Sequence, residues 1–215
     1  MTGAAEPRQA GHAPARNAPR ARDASERPRV LVITGPSGVG KGTLIQALRR
    51  HFPGLELSVS ATTRPPRPSE RDGREYHFLD PAEFERRASA GEFVEHAEYA
   101  GNRYGTLRSE VERAPDGLVL EIEVKGARQV RDALRDAVQV FIAPPSPEVL
   151  RERLLRRGTD QSDQIARRLA QAEEELRAKD EFEHVIENND LERASAELVD
   201  LVATIWPTLK RGERT

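Results

Sequence analysis

The segment Gly35-Pro36-Ser37-Gly38-Val39-Gly40-Lys41-Gly42-Thr43 constrains the fold of this chain more than any other part of it. It follows Val30–Thr34, a run of apolar and β-branched residues typical of a strand buried on both faces. Glycines let the loop turn its backbone N–H groups inward, where they can bind phosphate oxygens, and a helix predicted to begin near Lys41 adds the positive end of its dipole. This order of strand, glycine-rich loop and helix predicts a P-loop. The alternative, a glycine-rich turn with a solvated lysine, does not explain the flanking strand and helix.

One position of the loop departs from the usual pattern. Gly42 stands where a Ser or Thr hydroxyl normally binds Mg²⁺, and Thr43 follows it. We therefore expect Mg²⁺ to be held mostly by substrate phosphates and water, which suits its reluctance to lose water. The order Gly-Lys-Gly-Thr resembles that of adenylate kinases, so the departure does not argue against a kinase.

Composition limits the class of protein. The chain has 215 residues, 33% of them charged and 37% hydrophobic, which is typical of a soluble protein with one core. It has no Cys, which excludes disulfides, thiolate metal sites and thiol catalysis, and its five His do not have metal-ligand spacing. No apolar run is long enough to cross a membrane. We expect a cytoplasmic protein without a membrane partner.

Charge is unevenly distributed along the chain. Residues 1–29 carry six arginines against three acidic residues, a net charge of +3, which leaves −5 for the rest of a chain whose total is −2. An acidic body gives no reason to expect a nucleic-acid partner. Because residues 1–29 are rich in Ala, Pro and Arg and lack Leu, Ile and aromatics, we predict a disordered extension. A transit peptide is the weaker alternative, since prolines and acidic residues are also present.

Strand and helix patterns alternate from Val30 onward. Further strands are predicted at Leu57–Ala61, Leu118–Val124, Val138–Ala143 and His184–Glu187. Helices are predicted from Lys41 to His51, from a cap at Asp80 to about Ala90, from Ser146-Pro147, around Ile165–Leu176, and from Ala194 to a stop at Pro207. This alternation predicts an α/β fold with a doubly wound parallel sheet over residues 30–207. Residues from about 60 to 113 interrupt it and predict an inserted subdomain, and residues 208–215 are predicted to be a flexible tail.

A second group of motifs lies inside this insertion. Arg64 and Arg67 stand three residues apart in a proline-rich loop, and guanidinium groups in such a loop can bind phosphate oxygens. Three more motifs follow, Gly73–Phe78, Gly91–Glu95 and Gly101–Thr106. Taken alone, each has an ordinary structural interpretation as a solvated linker, a packing aromatic or a surface carboxylate.

Together, and behind a P-loop, these motifs resemble the guanylate kinases, from about Arg29 to Pro207. The resemblance implies a P-loop nucleoside-monophosphate kinase fold with an inserted GMP-binding subdomain and a small lid near residues 155–165. It implies transfer of the γ-phosphoryl group of ATP to GMP, giving ADP and GDP, in purine nucleotide metabolism and GMP recycling. It also implies Mg²⁺ as cofactor, ATP and GMP or dGMP as substrates, and a monomer or weak homo-oligomer.

The resemblance assigns roles in the acceptor site. Arg64, Arg67, Tyr76 and Tyr104 match the groups that hold the GMP phosphate. Ser60, Glu95 and Thr106 match the groups that contact the guanine edge, with Thr106 in place of the usual Ser. The chemistry agrees, because a carboxylate can accept from both N1–H and the exocyclic amine of guanine. Adenine has no donor at N1 and would leave a buried carboxylate unpaired.

Two carboxylates, Glu121 and Glu123, end the strand predicted at Leu118–Val124 and would face the same side. The family often has Asp at both positions, near Mg²⁺-bound water and the acceptor nucleoside. The resemblance places Glu123 in the GMP site and makes Glu121 the candidate for a water-mediated contact with Mg²⁺, with no direct metal ligand assigned. Because Glu is longer than Asp, the sequence does not decide which of the two carboxylates contacts which ligand. The alternative to a functional role is that both belong to an ordinary polar strand end.

The remaining implied roles concern ATP and catalysis. The resemblance assigns ATP binding to the loop from Gly35 to Thr43 and to Asn188. It assigns catalysis to Lys41 and to arginines that stabilise charge on the transferred group, namely Arg64, Arg153, Arg157 and Arg168.

Two other functions are alternatives to this one. A non-catalytic guanylate-kinase-like interaction domain would be expected to lack P-loop or arginine groups that this chain retains. A kinase for another small phosphorylated acceptor would need other base-contacting residues than Ser60 and Glu95.

Overall fold

The computed structural model describes residues 29–99, 101–114, 116–156 and 162–212. The strands within these ranges are β1 Val30–Thr34, β2 Glu56–Leu57, β3 Ala61–Thr62, β4 His77–Phe78, β5 Phe93–Tyr99, β6 Asn102–Leu107, β7 Leu118–Glu121, β8 Val138–Ala143 and β9 His184–Glu187. The helices are α1 Lys41–His51, α2 Pro81–Ser89, α3 Arg108–Arg113, α4 Val124–Ala133, α5 Pro147–Arg156, α6 Ser162–Arg177 and α7 Leu191–Ile205.

The larger sheet is parallel and has the strand order β2-β7-β1-β8-β9. Strand β1 lies at its centre, and all five of its residues are buried. Leu31 and Ile33 pack into a core with α1, α5 and α7, whereas Val30 and Val32 pack into a second core with α3 and α4. Helices therefore cover both faces, which confirms the predicted doubly wound α/β fold.

A second, four-stranded sheet with the order β4-β3-β6-β5 is formed by residues 61–107. It is mixed, because β3 pairs parallel with β4 whereas the β3–β6 and β5–β6 pairs are antiparallel. Its own small core contains Ala61, Phe84, Phe93 and Leu107. This sheet lies within the stretch that interrupts the strand–helix alternation of the sequence.

The single strand predicted at Leu57–Ala61 is wrong, because the chain changes sheets there. Ser58 N still donates to Val119 O of β7 (2.9 Å). The next backbone amide, Val59 N, donates instead to the Glu110 side chain (2.8 Å), and β3 then begins at Ala61 in the second sheet. The predicted strand is therefore two short strands joined by residues 58–60.

Helix starts follow the local sequence signals. The Asp80 side chain accepts a hydrogen bond from Glu83 N (2.8 Å), with Pro81 in the first turn of α2. The Ser146 hydroxyl accepts from Val149 N (3.3 Å) at the start of α5. Both capped helix starts predicted from the sequence are confirmed.

The ends of the described chain pack more closely than predicted. Arg29 O accepts from Leu118 N (2.8 Å), and the Arg29 guanidinium donates to the Thr208 hydroxyl (2.6 Å). Leu209 is buried in the core beside α1 and α7, and Gly212 N donates to His51 O (2.7 Å). Residues 208–212 thus pack against the body instead of forming a free tail.

Residues 1–28 and 213–215 lie outside the described residues. No helix in the described ranges is long and apolar enough to cross a bilayer.

Candidate active site

A cavity of about 700 Å³ lies between the two sheets. One end is lined by the glycine-rich loop after β1, and the other by side chains of residues 58–105. The carboxyl end of β7 and one residue pair of α6 complete its wall. The cavity thus joins the two groups of motifs that the sequence keeps far apart.

The loop after β1 depends on glycine at defined positions. Gly35, Gly38 and Gly40 have φ values of 133°, 87° and 101°, a region that residues with a side chain rarely adopt. A Cβ atom at Gly35 would lie 2.2 Å from Ile142 O of β8, so no larger residue fits there. Helix α1 begins directly afterwards, at Lys41. The predicted strand–loop–helix geometry of a P-loop is confirmed.

Lys41 is held against the loop that it follows. Its Nζ donates to Gly35 O (2.6 Å) and Pro36 O (3.2 Å). Lys41, Gly42 and Thr43 line the cavity together with Gly35, Ser37, Gly38 and Gly40. Val39 is instead fully buried in the core below the loop.

Asn188 and Arg153 lie behind the loop and not in the cavity wall. Asn188 Nδ2 donates to Val39 O (2.8 Å), and this side chain is 6% exposed. Arg153 donates to Asn188 O (3.0 Å) and to Val39 O (3.4 Å). Both side chains therefore support the loop from its outer side. Arg157 lies outside the described residues, as does much of the lid predicted near residues 155–165, whereas Arg168 on α6 lines the cavity.

Arginine and tyrosine side chains line the opposite end of the cavity. Arg64, Arg67, Tyr76, Tyr104 and Ser60 all contribute to its wall. The Arg64 guanidinium lies over the Tyr76 ring, 5.3 Å from its centroid, and the Tyr76 and Tyr104 rings are 6.1 Å apart in a T-shaped arrangement. The structure thus gathers these five sequence-predicted residues from β6 and from the loops beside β3 and β4.

Glu95 is a buried carboxylate at this end of the cavity. It is 4% exposed, and Oε1 accepts a hydrogen bond from the Thr106 hydroxyl (2.8 Å). Burial raises the Glu95 pKa to about 7, while hydrogen bonds from Thr106 act in the opposite direction. The other oxygen, Oε2, lies against α4, where a Cβ atom built on Gly126 would be 2.6 Å away. Glycine at position 126 is therefore what allows the carboxylate to occupy this place.

Glu121 and Glu123 both line the cavity, but not as a strand pair. Strand β7 ends at Glu121, and Glu123 is the residue that precedes α4. The predicted strand is therefore too long at its carboxyl end, but Glu123 still has an extended backbone (φ −82°, ψ 166°), and both carboxylates reach the same cavity. Burial raises the Glu123 pKa, with Lys41 acting in the opposite direction.

Several polar residues of the site were not singled out from the sequence. Glu175 and Tyr99 line the cavity, and the Gln171 amide donates to both Glu123 (3.2 Å) and Glu175 (3.3 Å). Burial, and next the Glu123 carboxylate, raise the Glu175 pKa to about 7. Arg168, Gln171 and Glu175 have the i, i+3, i+7 spacing of one helix face. This spacing was the sequence signal that could have placed Gln171 and Glu175 beside Arg168.

Comparison with known proteins supports the geometry. The guanylate kinase family model matches residues 27–204. A guanylate kinase of Frankia casuarinae is 54% identical over 176 residues, covering 80% of this chain and 96% of that protein. A guanylate kinase of Symbiobacterium thermophilum is 52% identical over 172 residues, covering 79% and 82%.

A solved structure shows the same architecture. The crystal structure of guanylate kinase from Anaplasma phagocytophilum matches with a TM-score of 0.64 at 31% identity, covering 86% of this chain and 90% of that chain. The family match includes both ends of the cavity, and the relatives agree with it over most of their length. This chain belongs to the guanylate kinase family.

Proposed function

We propose that this chain transfers the γ-phosphoryl group of ATP to GMP, giving ADP and GDP. The observation that carries the proposal is that one continuous cavity joins the glycine-rich loop to an arginine pair and a buried Glu95–Thr106 pair. A protein that bound only one nucleotide would need only one end of this cavity. dGMP is expected to be accepted too, because it offers the same phosphate and base.

At the donor end, the backbone N–H groups of the loop and Lys41 would bind the phosphates of ATP. Val39 O, which anchors both Asn188 and Arg153, keeps the loop in its shape. The roles of Arg153, Arg157 and Arg168 toward developing charge are proposed from the family resemblance. The role of Arg168 is supported by its position in the cavity wall. Arg153 does not line the cavity and would act indirectly, by supporting the loop.

At the acceptor end, Arg64, Arg67, Tyr76 and Tyr104 would hold the GMP phosphate. The Glu95 carboxylate, in its ionised form, would accept from the two adjacent donors of guanine, and Thr106 and Ser60 would lie beside the same edge. Glu123 would meet the nucleoside from the α4 side. These contacts would put the acceptor phosphate between the arginines and the loop.

The reaction needs position and charge rather than a protein nucleophile. An oxygen of the GMP phosphate attacks the γ-phosphorus, and the bond from that phosphorus to the β–γ bridging oxygen breaks as ADP leaves. Lys41 and the arginines offset the negative charge that builds on the transferred group and the leaving oxygen.

The residues present fit Mg²⁺ as the proposed cofactor. The Glu121 carboxylate and the Thr43 hydroxyl supply oxygen near the loop, and a Cβ built on Gly42 would lie 3.8 Å from Glu121 Oε2. Among the described residues, no group of three or more His, Cys, Asp or Glu side chains is arranged to hold a metal ion. We expect the cation to be bound mainly by phosphates and water, with Glu121 contacting it through water. When bound, Mg²⁺ would neutralise phosphate charge.

A substrate panel tests this proposal. ADP release is measured with ATP and each of GMP, dGMP, AMP, CMP and UMP. We expect rapid release with the two guanine nucleotides and little with the others. Equal release with AMP would indicate a kinase of another acceptor. No release with any of the five nucleotides would indicate the non-catalytic interaction domain. The presence of Lys41 and Arg64 argues against that second outcome.

A further inference from the structure

Glu70 is placed at the centre of the loop that carries Arg64 and Arg67. Both oxygens of its carboxylate lie 2.9 Å from Nη2 of Arg64. Oε2 also accepts from the backbone N–H of Arg67 (2.8 Å), and Glu70 N donates in return to Arg67 O (3.0 Å). One side chain therefore ties the guanidinium of one arginine to the backbone of the other.

Glu70 lies behind the two arginines as seen from the cavity. Arg64 and Arg67 line the cavity, whereas Glu70 does not, and its side chain is only 11% exposed. The Arg64 side chain is further held by Pro65 O, which accepts from Nη1 (2.8 Å), and by the ring of Tyr76. These contacts fix the direction of Arg64 before any phosphate arrives.

The charge of Glu70 supports this arrangement. Two guanidinium groups repel each other, and a carboxylate between them offsets that repulsion. The Arg67 N–H, and also Arg64, hold the Glu70 pKa below its ordinary value, so the carboxylate stays ionised at neutral pH. Removing the carboxylate would leave Arg64 without its main charged contact and the Arg67 backbone without its side-chain acceptor.

We propose that Glu70 is a positioning residue of the acceptor site, which orients Arg64 and Arg67 toward the phosphate of the monophosphate substrate without contacting that substrate. The contrary possibility is that Glu70 occupies Arg64 in place of the phosphate and must leave when substrate binds. The reciprocal backbone hydrogen bonds to Arg67 favour the first, because they hold Glu70 within its own turn independently of Arg64. The inference rests on the proposed function.

The test compares Glu70→Gln with Glu83→Gln. Glu83 is also bonded by two arginines, Arg86 and Arg87, in the same inserted stretch, but neither of these arginines lines the cavity. Binding of GMP, guanosine and ATP is measured by calorimetry for both variants and the parent chain, with melting temperatures. Guanosine has the base without the phosphate, so it separates the two halves of the acceptor site.

We expect Glu70→Gln to weaken GMP binding about tenfold while guanosine and ATP change less than twofold, and Glu83→Gln to leave GMP binding unchanged. Unchanged or tighter GMP binding in Glu70→Gln would overturn the inference and favour a competing carboxylate. A parallel loss of GMP, guanosine and ATP binding with a lowered melting temperature would also overturn it, as a general structural role. If the parent chain itself does not bind or phosphorylate GMP, the proposed function has failed instead.

Discussion

Replacing Gly126 by alanine should damage the acceptor site without loosening the fold. The added Cβ would lie 2.6 Å from Glu95 Oε2 and 3.2 Å from its Cδ. Ordinary contact requires a separation of about 3.4 Å, so the carboxylate must move by about 0.8 Å. Such a shift strains the 2.8 Å hydrogen bond from Thr106 and moves the acceptor oxygens away from the guanine edge.

The expected loss follows from the hydrogen bonds at stake. Loss of one charge-assisted bond costs about 2–3 kcal/mol, which is roughly a thirtyfold to 150-fold loss of GMP affinity. Affinity for ATP should change little, because the donor loop is at the other end of the cavity. Alanine in a helix is favoured over glycine by up to about 1 kcal/mol, so the free energy of unfolding should not fall much.

The assay is calorimetric binding of GMP and ATP to Gly126→Ala, Glu95→Gln and the double variant. If alanine acts by displacing Glu95, its cost should shrink to less than about threefold when Glu95 is already Gln, because neighbouring sites are not additive. The reasoning is refuted if Gly126→Ala binds GMP as tightly as the parent chain. Equal penalties in both backgrounds would refute it as well.

Two further predictions concern the donor loop and the buried carboxyl on α6. Lys41→Ala should abolish ADP formation at saturating ATP while leaving the melting temperature nearly unchanged, because Lys41 contacts loop carbonyls and is not part of the hydrophobic core; full turnover would contradict its role. Glu175 has its pKa raised to about 7 from 4.5, so its stabilising contribution is complete below about pH 4.5 and is lost as pH rises through 7. The free energy of unfolding of Glu175→Gln, measured with denaturant and compared with that of the parent chain, should therefore rise by about 2 kcal/mol between pH 5 and pH 8. A difference that does not change with pH would contradict the raised pKa.

The elements that sequence predicted well are those with local causes. Val30–Thr34 is apolar throughout because helices cover both faces of its sheet, and that pattern is visible in the sequence alone. Helix α2 begins where Asp80 and Pro81 supply a cap and a fixed φ. The positive φ values of the loop require glycine, so its composition predicted its shape.

The elements that sequence missed have distant causes. The chain leaves the first sheet after Ser58 because Val59 bonds to Glu110, which lies 51 residues further along. Asn188 supports the P-loop through Val39, 149 residues away, so no local pattern distinguishes this from a contact with nucleotide. The packing of Leu209 likewise depends on a core built by α1 and α7, and a short polar-flanked segment gives no sign of it.

Parts of the candidate site were predictable only as residue types. The sequence indicated a carboxylate at Glu95 and a hydroxyl at Thr106, and the structure brings them to 2.8 Å. The sequence did not indicate that Gly126 makes room for this pair or that Glu70 holds Arg64, because both contacts depend on how separate segments meet.

The affinity of Glu95→Gln for GMP tests the central claim most directly. The amide would place a donor against a donor of guanine and remove a charge-assisted hydrogen bond, a loss of about 2–4 kcal/mol, or roughly thirtyfold to several hundredfold in affinity. Binding of ATP to the same variant serves as the internal control and should be unchanged. A GMP affinity equal to that of the parent chain would contradict the assignment of Glu95 to the guanine edge and, with it, the choice of GMP as acceptor.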